Sequence, residues 1–367
     1  MIAPSQGIDN KVKSLKKFLQ SIFNGIMLYL RISFIILRRK LKYMNHEKIK
    51  ILEKIINSDY NNVTGIVMRK NGEEVYEKYF NGYTANHAVH VYSVTKSVFS
   101  ALLGIAIRRG NIKSVNQKVL DFFPDYTVAN GEETIQRITI KNMLTMTAPY
   151  KYDTEPYEKF FTSQNPIQDA LDLLGGDKPI GNFNYSAIGG THILSGILAK
   201  AVGQSILDFA TENLFSPLKM NVPQNIVLHN QEEHIAVMSD KNTRGWVVDP
   251  QGINTASWGL FLTPADMAKM GQLYLDGGMW RGKQIVSPEW IEESTKEQIR
   301  WGTLSYGYLW WVIDDKEHIY TALGDGGNVI YVNTKKKTVI SIASLFVPDA
   351  KDRIELIRER VEPIFED

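Results

Sequence analysis

Two strand-rich stretches sit near opposite ends of this chain, with a long helix-rich stretch between them. The first is a hairpin: Thr64–Arg69 and Glu74–Phe80 flank Asn71-Gly72, a pair suited to the two positive-φ positions of a type I′ turn. Strand patterns return only at Leu309–Ile313, His318–Ala322, Val329–Val332 and Thr338–Leu345. Strands at both ends with helices between predict one sheet closed by the two ends of the chain and a helical lobe inserted between them. That is an α+β plan with two lobes, and the cleft between lobes is where a site belongs.

The helical pattern begins at Val94 and runs to Arg109, with Ala101, Leu102, Ile105 and Ala106 at helical spacing and Gly110 as the C′ residue. Thr139 caps a second helix, IKNMLTM, and further helices are expected at 166–174, 190–202, 205–214, 264–276, 288–296 and 350–362. Hydrophobic residues at 44% and charged residues at 22% suit a globular chain with a real core.

The formal net charge of +2 hides an asymmetry. Residues 1–43 hold nine Lys and Arg against one acid, Asp9, while the remaining residues hold 33 bases against 39 acids. Between the basic clusters runs Phe18 to Leu37, which has the length of a membrane span. Its twelve Ile, Leu and Phe favour insertion, but Arg31 at mid-span costs about 2.5–3.5 kcal/mol, so the sum is near zero. As a helix, Leu19, Ile22, Phe23, Ile26, Leu30, Phe34 and Leu37 form one apolar stripe opposite Gln20, Asn24, Arg31 and Arg38, a pattern for an anionic membrane surface. Three readings stay open: a span, a surface helix with membrane contact through 18–37, or an extension of a chain that starts at Met44. The first two place the protein at a membrane, the third in the cytoplasm. Residues 44–367 form the functional domain on any of them.

Zero cysteines exclude a disulfide framework, a thiolate zinc site and a cysteine nucleophile. His87 and His90 lie three apart without a third ligand nearby, so no metal and no cofactor is expected. The near-neutral total gives no sign of nucleic-acid binding. Gly277–Gln284 nearly matches a phosphate-binding loop, but Gln284 stands where a Mg²⁺-binding Ser or Thr is needed, and a helix precedes it. It reads as a helix-to-strand turn. There is no G-x-S-x-G elbow.

Ser-x-x-Lys occurs three times, at Ser14/Lys17, Ser93/Lys96 and Ser216/Lys219. Ser14 lies in the leader, and Pro217 at a helix end breaks the geometry of the third. Only Ser93 sits where a loop feeds an apolar helix, so that Lys96 shares its face and can reach its hydroxyl. Burial and the helix N-terminus both disfavour a charged lysine, which lowers its pKa towards a range where it can accept a proton. Free N–H groups at the same helix start can bind a developing oxyanion. An N-cap serine followed by a surface lysine is the bland alternative for the tetrapeptide taken alone.

The run Tyr92-Ser93-Val94-Thr95-Lys96-Ser97, continued by LLGIAIRRGNI, resembles the serine β-lactamase and penicillin-binding family, in its branch of class C β-lactamases, esterases and 6-aminohexanoate-dimer hydrolases. ITIKNMLTMTA at 138–148, FNYSA at 183–187, LFSPLKM at 214–220, GLFLTPADMAKMGQLYLDGG at 259–278, WRGKQIVSPEW at 280–290, YGYLWW at 306–311 and GDGGN at 324–328 follow in the family's order. The likeness covers about residues 60–345. It implies a β-lactamase/transpeptidase-like fold, an antiparallel sheet flanked by terminal helices plus a helical lobe. It also implies a serine hydrolase that works through an acyl-enzyme on a small ester or amide.

By that resemblance Ser93 is the acylated nucleophile and Lys96 its general base or proton relay. Tyr185, in Tyr185-Ser186-Ala187, shuttles a proton to the leaving group, with a pKa expected to be lowered by Lys96. The family's third motif, a Lys or His followed by two small residues on an edge strand, falls on Asp325-Gly326-Gly327. The N–H groups of Ser93 and Asn328 then form the oxyanion hole. Tyr185 as a packed aromatic and Asp325-Gly326 as a plain hairpin turn are the alternatives.

Two positions depart from the pattern. Ala187 stands where the lactamases carry an Asn that holds the substrate's amide. Asp325 replaces the cation that pairs with the carboxylate of a β-lactam or D-alanyl substrate. A true β-lactamase or D,D-carboxypeptidase is therefore disfavoured against an esterase or amidase for neutral or cationic substrates. A penicillin-binding sensor that is acylated without turnover is the alternative from another class.

Overall fold

The structure is a computed structural model, and it describes residues 21–24, 26–27 and 45–365. Of the leader's stripe only Ile22, Phe23 and Ile26 are described; the rest of it, most of the span and Ser14/Lys17 lie outside the described residues. Residues 21–24 and 26–27 are helical and exposed. Among the described residues no single helix is long and apolar enough to cross a membrane.

The first helix, α1 (His46–Asp59), starts at Asn45, whose side chain accepts the N–H groups of Glu47 and Lys48. The hairpin follows as β1 (Val63–Lys70) and β2 (Glu73–Tyr79), with Asn71 and Gly72 at φ 51° and 81°, the type I′ geometry their identities predict. The helix-rich stretch supplies α2 (Val94–Arg108), α3 (Ile140–Leu144), α4 (Tyr157–Thr162), α5 (Pro166–Leu173), α6 (Gly189–Val202), α7 (Gln231–Ser239), α8 (Pro264–Leu275) and α9 (Pro288–Thr295). Gly110 follows the last residues of α2 at φ 78°, and Thr139 caps α3 in a reciprocal pair with Asn142, both as expected.

The chain then returns to strand: β3 (Ile299–Trp301), β4 (Leu304–Tyr306), β5 (Trp311–Asp314), β6 (Ile319–Gly324), β7 (Asn328–Asn333) and β8 (Thr338–Ser344). One eight-stranded sheet results, in the order β2-β1-β8-β7-β6-β5-β4-β3, with every pair antiparallel. The pairing of β1 with β8 is the predicted closure of the sheet by the chain's two ends.

Alternation along β7 shows what the sheet separates. Val329 and Tyr331 face a layer made by Ile49, Leu52 and Ile56 of α1 and by Leu356, Ile357, Val361 and Ile364 of the C-terminal helix. Ile330 and Val332 face the other layer, where α8 packs against β1, β7 and β8. Leu52 and Ile56 are fully buried, and each contributes about 2 kcal/mol from burial alone. The fold is thus α+β, a sheet flanked by terminal helices with a helical lobe beyond α2.

Several boundaries differ from expectation. Leu309 has φ 62°, so the strand expected from 309 starts at Trp311. The helices expected at 205–214 and 350–362 are shorter, Ile206–Ala210 and α10 (Arg353–Leu356), because each loosens into a π turn over its following residues. Asp325-Gly326-Gly327 does not lie on an edge strand. It is a turn joining β6 and β7, both interior strands, because Gly326 and Gly327 take φ 74° and 90° and cannot continue a strand. The phosphate-loop look-alike is a two-residue hairpin, Met279–Trp280 paired with Lys283–Gln284 through Arg281 and Gly282 at positive φ. At the third Ser-x-x-Lys, Lys219 is left-handed and terminates its helix.

Candidate active site

Residues Val94 to Ala106 of α2 are all buried. Two residues before the helix, Tyr92 has φ 48°. A tyrosine in that region costs about 1–3 kcal/mol, and here the strain turns the chain sharply from Val91 into the helix. The ring of Tyr92 is held between His90, with centroids 4.1 Å apart, and Phe346, at 5.6 Å. Ser93 then occupies the N-cap position, but its side chain makes no cap hydrogen bond. The capping alternative is removed, and the hydroxyl is left for another partner.

That partner is Lys96. Its Nζ donates to Ser93 Oγ at 2.9 Å and to the Ser257 carbonyl at 3.2 Å. Lys96 is 2% exposed. Burial pulls its pKa down to about 8, against the opposing pull of the Asp325 and Glu155 carboxylates. Ser257 itself is buried, and its Oγ has no hydrogen-bond partner among the described residues.

Tyr185 comes from the helical lobe, in the loop that enters α6. Its ring keeps 37% of its surface exposed, stacked on Trp311 with centroids 5.8 Å apart and planes 28° apart. The phenol end points into the site, where the Ser93 hydroxyl is a hydrogen-bonding neighbour, and Lys96 Nζ lies 5.7 Å from the ring centre. Its pKa is raised, not lowered as expected. Burial is the main cause, the carboxylates of Asp325 and Glu155 add to it, and the Ser93 hydrogen bond only partly offsets them. The reason is that burial, which disfavours the phenolate, outweighs the neighbouring charge of Lys96.

The sheet contributes the turn after β6. Gly324 packs directly on the turn that carries Ser93: a Cβ there would lie 2.2 Å from the Val91 carbonyl oxygen and 3.2 Å from the Val94 nitrogen. Asp325 follows and is exposed, its carboxylate close enough to raise the pKa of Tyr92, Tyr185 and Lys96. Gly326 has no room for a side chain either, since a Cβ would meet the Leu345 carbonyl at 2.5 Å. Asn328, 0% exposed, ties the turn down. Its side chain donates to the carbonyls of Asp325 (2.8 Å) and Ser344 (3.2 Å) and accepts the Ser344 N–H at 2.9 Å. From behind, the Gly326 carbonyl accepts Asn62 at 2.7 Å, and the buried Arg353 guanidinium bonds both Asn62 and Gly326.

The structure thus brings Ser93, Lys96, Tyr185, Asp325 and the Gly326–Asn328 turn to one place between the sheet and the helical lobe. Four contributors were not legible in advance. Tyr92 carries the strain, Ser257 offers its carbonyl to Lys96, Trp311 carries Tyr185, and Glu155 binds the loop after Tyr185. No spacing rule links residues so far apart in sequence. The histidines serve structure: His90 Nε2 accepts the Gly259 N–H at 2.9 Å, with burial holding its pKa at about 3, and His87 Nδ1 accepts the Thr84 N–H. Among the described residues, no group of three His, Asp or Glu is placed to hold a metal ion.

A model of the Beta-lactamase family matches residues 63–362. The 6-aminohexanoate-dimer hydrolase of Paenarthrobacter ureafaciens is 21% identical over 305 residues, which span 76% of this chain and 72% of that protein. A family VIII carboxylesterase structure superposes with TM-score 0.65 at 16% identity, covering 86% of this chain and 96% of the other. A penicillin-binding protein homologue from Caulobacter crescentus gives TM-score 0.62 at 15% identity, covering 82% and 91%. At these identities the structural likeness shows the fold.

Proposed function

The chain belongs to the Beta-lactamase family, and we propose that within it this protein is a serine hydrolase that cleaves small esters or amides through an acyl-enzyme. The observation that carries the reading is the Lys96 Nζ to Ser93 Oγ hydrogen bond of 2.9 Å in a site buried enough to hold the lysine near pKa 8.

Lys96 in its neutral form takes the Ser93 proton as Oγ attacks the substrate carbonyl. The oxyanion that forms is met by the Ser93 N–H and a second N–H from the turn after β6. Asn328 supplies it by the family pattern, and Asp325 is the alternative donor, because Gly324 lays the start of that turn against Val91 and Val94. Tyr185, whose raised pKa keeps it a phenol at neutral pH, passes a proton to the departing alkoxide or amine and is reprotonated from Lys96. The serine ester then remains on Ser93, and water releases the acid and returns the serine proton.

The charge around the site selects the substrate. The groups that act on Tyr185 through charge include the carboxylates of Asp325 and Glu155. A carboxylate on the acyl donor would be repelled, so neutral or cationic donors are favoured over β-lactams and D-alanyl peptides. The family members named for esters and for the amide of the 6-aminohexanoate dimer fit that class.

Mass spectrometry of the intact protein after separate exposure to a fluorophosphonate and a penicillin tests this. A Ser93-dependent adduct with the fluorophosphonate alone is expected. A persistent penicillin adduct would favour a binding module instead, and turnover of a chromogenic cephalosporin without esterase activity would favour a β-lactamase.

A further inference from the structure

The helix that follows Tyr185 lacks a cap of its own. Its N-cap residue is Ile188, which offers no side-chain acceptor, and its first residues are Gly189 and Gly190. The missing acceptor comes from far away in sequence. Glu155, in the loop before α4, accepts the N–H groups of Ala187 at 2.7 Å, Ile188 at 3.0 Å and Gly189 at 2.7 Å, and the Ser186 hydroxyl at 2.9 Å. The Ser186 oxygen in turn accepts the Gly190 N–H at 2.8 Å. The four residues after Tyr185 are therefore held by one carboxylate, and an anion at a helix N-terminus also meets a favourable dipole.

We propose that Glu155 is a positioning residue for the reaction: it fixes the loop that aims the Tyr185 phenol at Ser93. Its carboxylate also favours the charged form of Lys96, an effect smaller than that of the burial that lowers the lysine's pKa. Both roles rest on the hydrolase reading above, and the test separates the two. The groups that face Lys96 are Ser93 from its own helix, the Ser257 carbonyl, Tyr185, Asp325 from the sheet turn and Glu155 from this loop. Only the last two are anions, and Asp325 is exposed to solvent while Glu155 is partly buried.

Glu155 cannot be replaced by its amide without loss. In Glu155→Gln one oxygen can still accept from Ser186, Ile188 and Gly189, but the amide nitrogen then faces the Ala187 N–H, donor against donor. The carboxylate's negative charge is lost in the same change, so Lys96 becomes easier to deprotonate.

The experiment measures kcat, KM and the pH profile of p-nitrophenyl butyrate hydrolysis for wild type, Glu155→Gln and Glu155→Asp, with melting curves for all three. Glu155→Gln is expected to lower the plateau kcat tenfold or more with little change in KM, and to move the acidic limb towards lower pH. Glu155→Asp, which keeps the charge but withdraws it by one methylene, is expected to lower kcat with the limb unmoved. A folded Glu155→Gln with wild-type kcat and an unmoved limb overturns the proposal, as does a loss that tracks only the folded fraction. If Glu155→Gln does not fold, Glu155→Asp decides: wild-type kcat in that variant overturns it. Failure of the hydrolase reading is a different result, seen as absence of Ser93 labelling by a fluorophosphonate in the wild-type protein.

Discussion

Lys96 and Ser93 are joined by a 2.9 Å hydrogen bond at the head of a helix whose next dozen residues see no solvent. Among the described residues no carboxylate lies within salt-bridge distance of the ammonium, which donates to the Ser93 hydroxyl and the Ser257 carbonyl. Burial therefore sets its protonation, and the reaction as proposed needs the neutral form.

Hydrolysis should accordingly rise with pH. Below the Lys96 pKa of about 8, kcat/KM for a neutral ester is expected to fall about tenfold per pH unit, and above it to level off. Stability should move in the same direction. A lysine whose folded pKa lies below its unfolded value leaves the unfolded chain binding more protons between about 8 and 10.5, so stability rises as pH climbs through that window. A pH profile of p-nitrophenyl butyrate hydrolysis from pH 5 to 10 checks the first point. An acidic limb centred below pH 6 would contradict it.

Tyr185→Phe should keep the stacking on Trp311 and lose only the hydroxyl. Acylation is expected to slow by about 10²- to 10⁴-fold, the usual worth of a positioned proton donor. Wild-type activity should show no basic limb near pH 10, because the phenol titrates above its ordinary value. Stopped-flow measurement of the acylation burst for both proteins reads the effect directly.

Asp325→Lys should reverse the charge that meets the substrate. The ratio of kcat/KM for a cephalosporin to that for a neutral ester is expected to rise about tenfold or more, equivalent to about 1.4 kcal/mol of Coulomb energy. High salt should shrink the change, because Asp325 is exposed. An unchanged ratio would remove Asp325 from substrate selection.

Gly324→Ala is a purely steric test of the contact between the sheet and the turn that carries Ser93. The new methyl would sit 2.2 Å from the Val91 carbonyl oxygen, backbone that cannot swing aside. A stability loss of about 1–3 kcal/mol is expected, with a disproportionate loss of activity as β6 is pushed away from Ser93. Denaturant unfolding beside fluorophosphonate labelling rates separates the two effects.

What was readable in advance had a local cause. Asn71-Gly72 dictates its own turn, Thr139 its own cap, and the apolar run after Ser93 its own burial. The hairpin β3–β4 escaped because Arg300, Trp301, Gly302 and Thr303 carry neither alternation nor burial; Trp301 is held by stacking on Phe183 from the other lobe. Helix α7 was missed for a similar reason, since it buries none of its residues and has no apolar stripe to read. The candidate site was legible in Ser93 and Lys96, one turn apart and hydrogen-bonded, and not in Glu155, whose partners lie more than thirty residues further on. The Tyr185 shift was expected in the wrong direction because burial, which no motif reports, outweighs the neighbouring charge.

The pairing of β1 with β8 has a consequence for how the protein is made. Val63–Lys70 finds its partner only at Thr338–Ser344, a pairing across most of the chain whose loop-closure entropy must be met before the contact is made. Ser93 and Lys96 are synthesised early, yet the turn that completes their surroundings is anchored by Asn328 to Ser344 and by Asn62 to Arg353. A nascent chain on the ribosome holds the serine and its lysine without the pocket around them. The surroundings of Ser93 and Lys96 are therefore complete only once β8 has paired with β1.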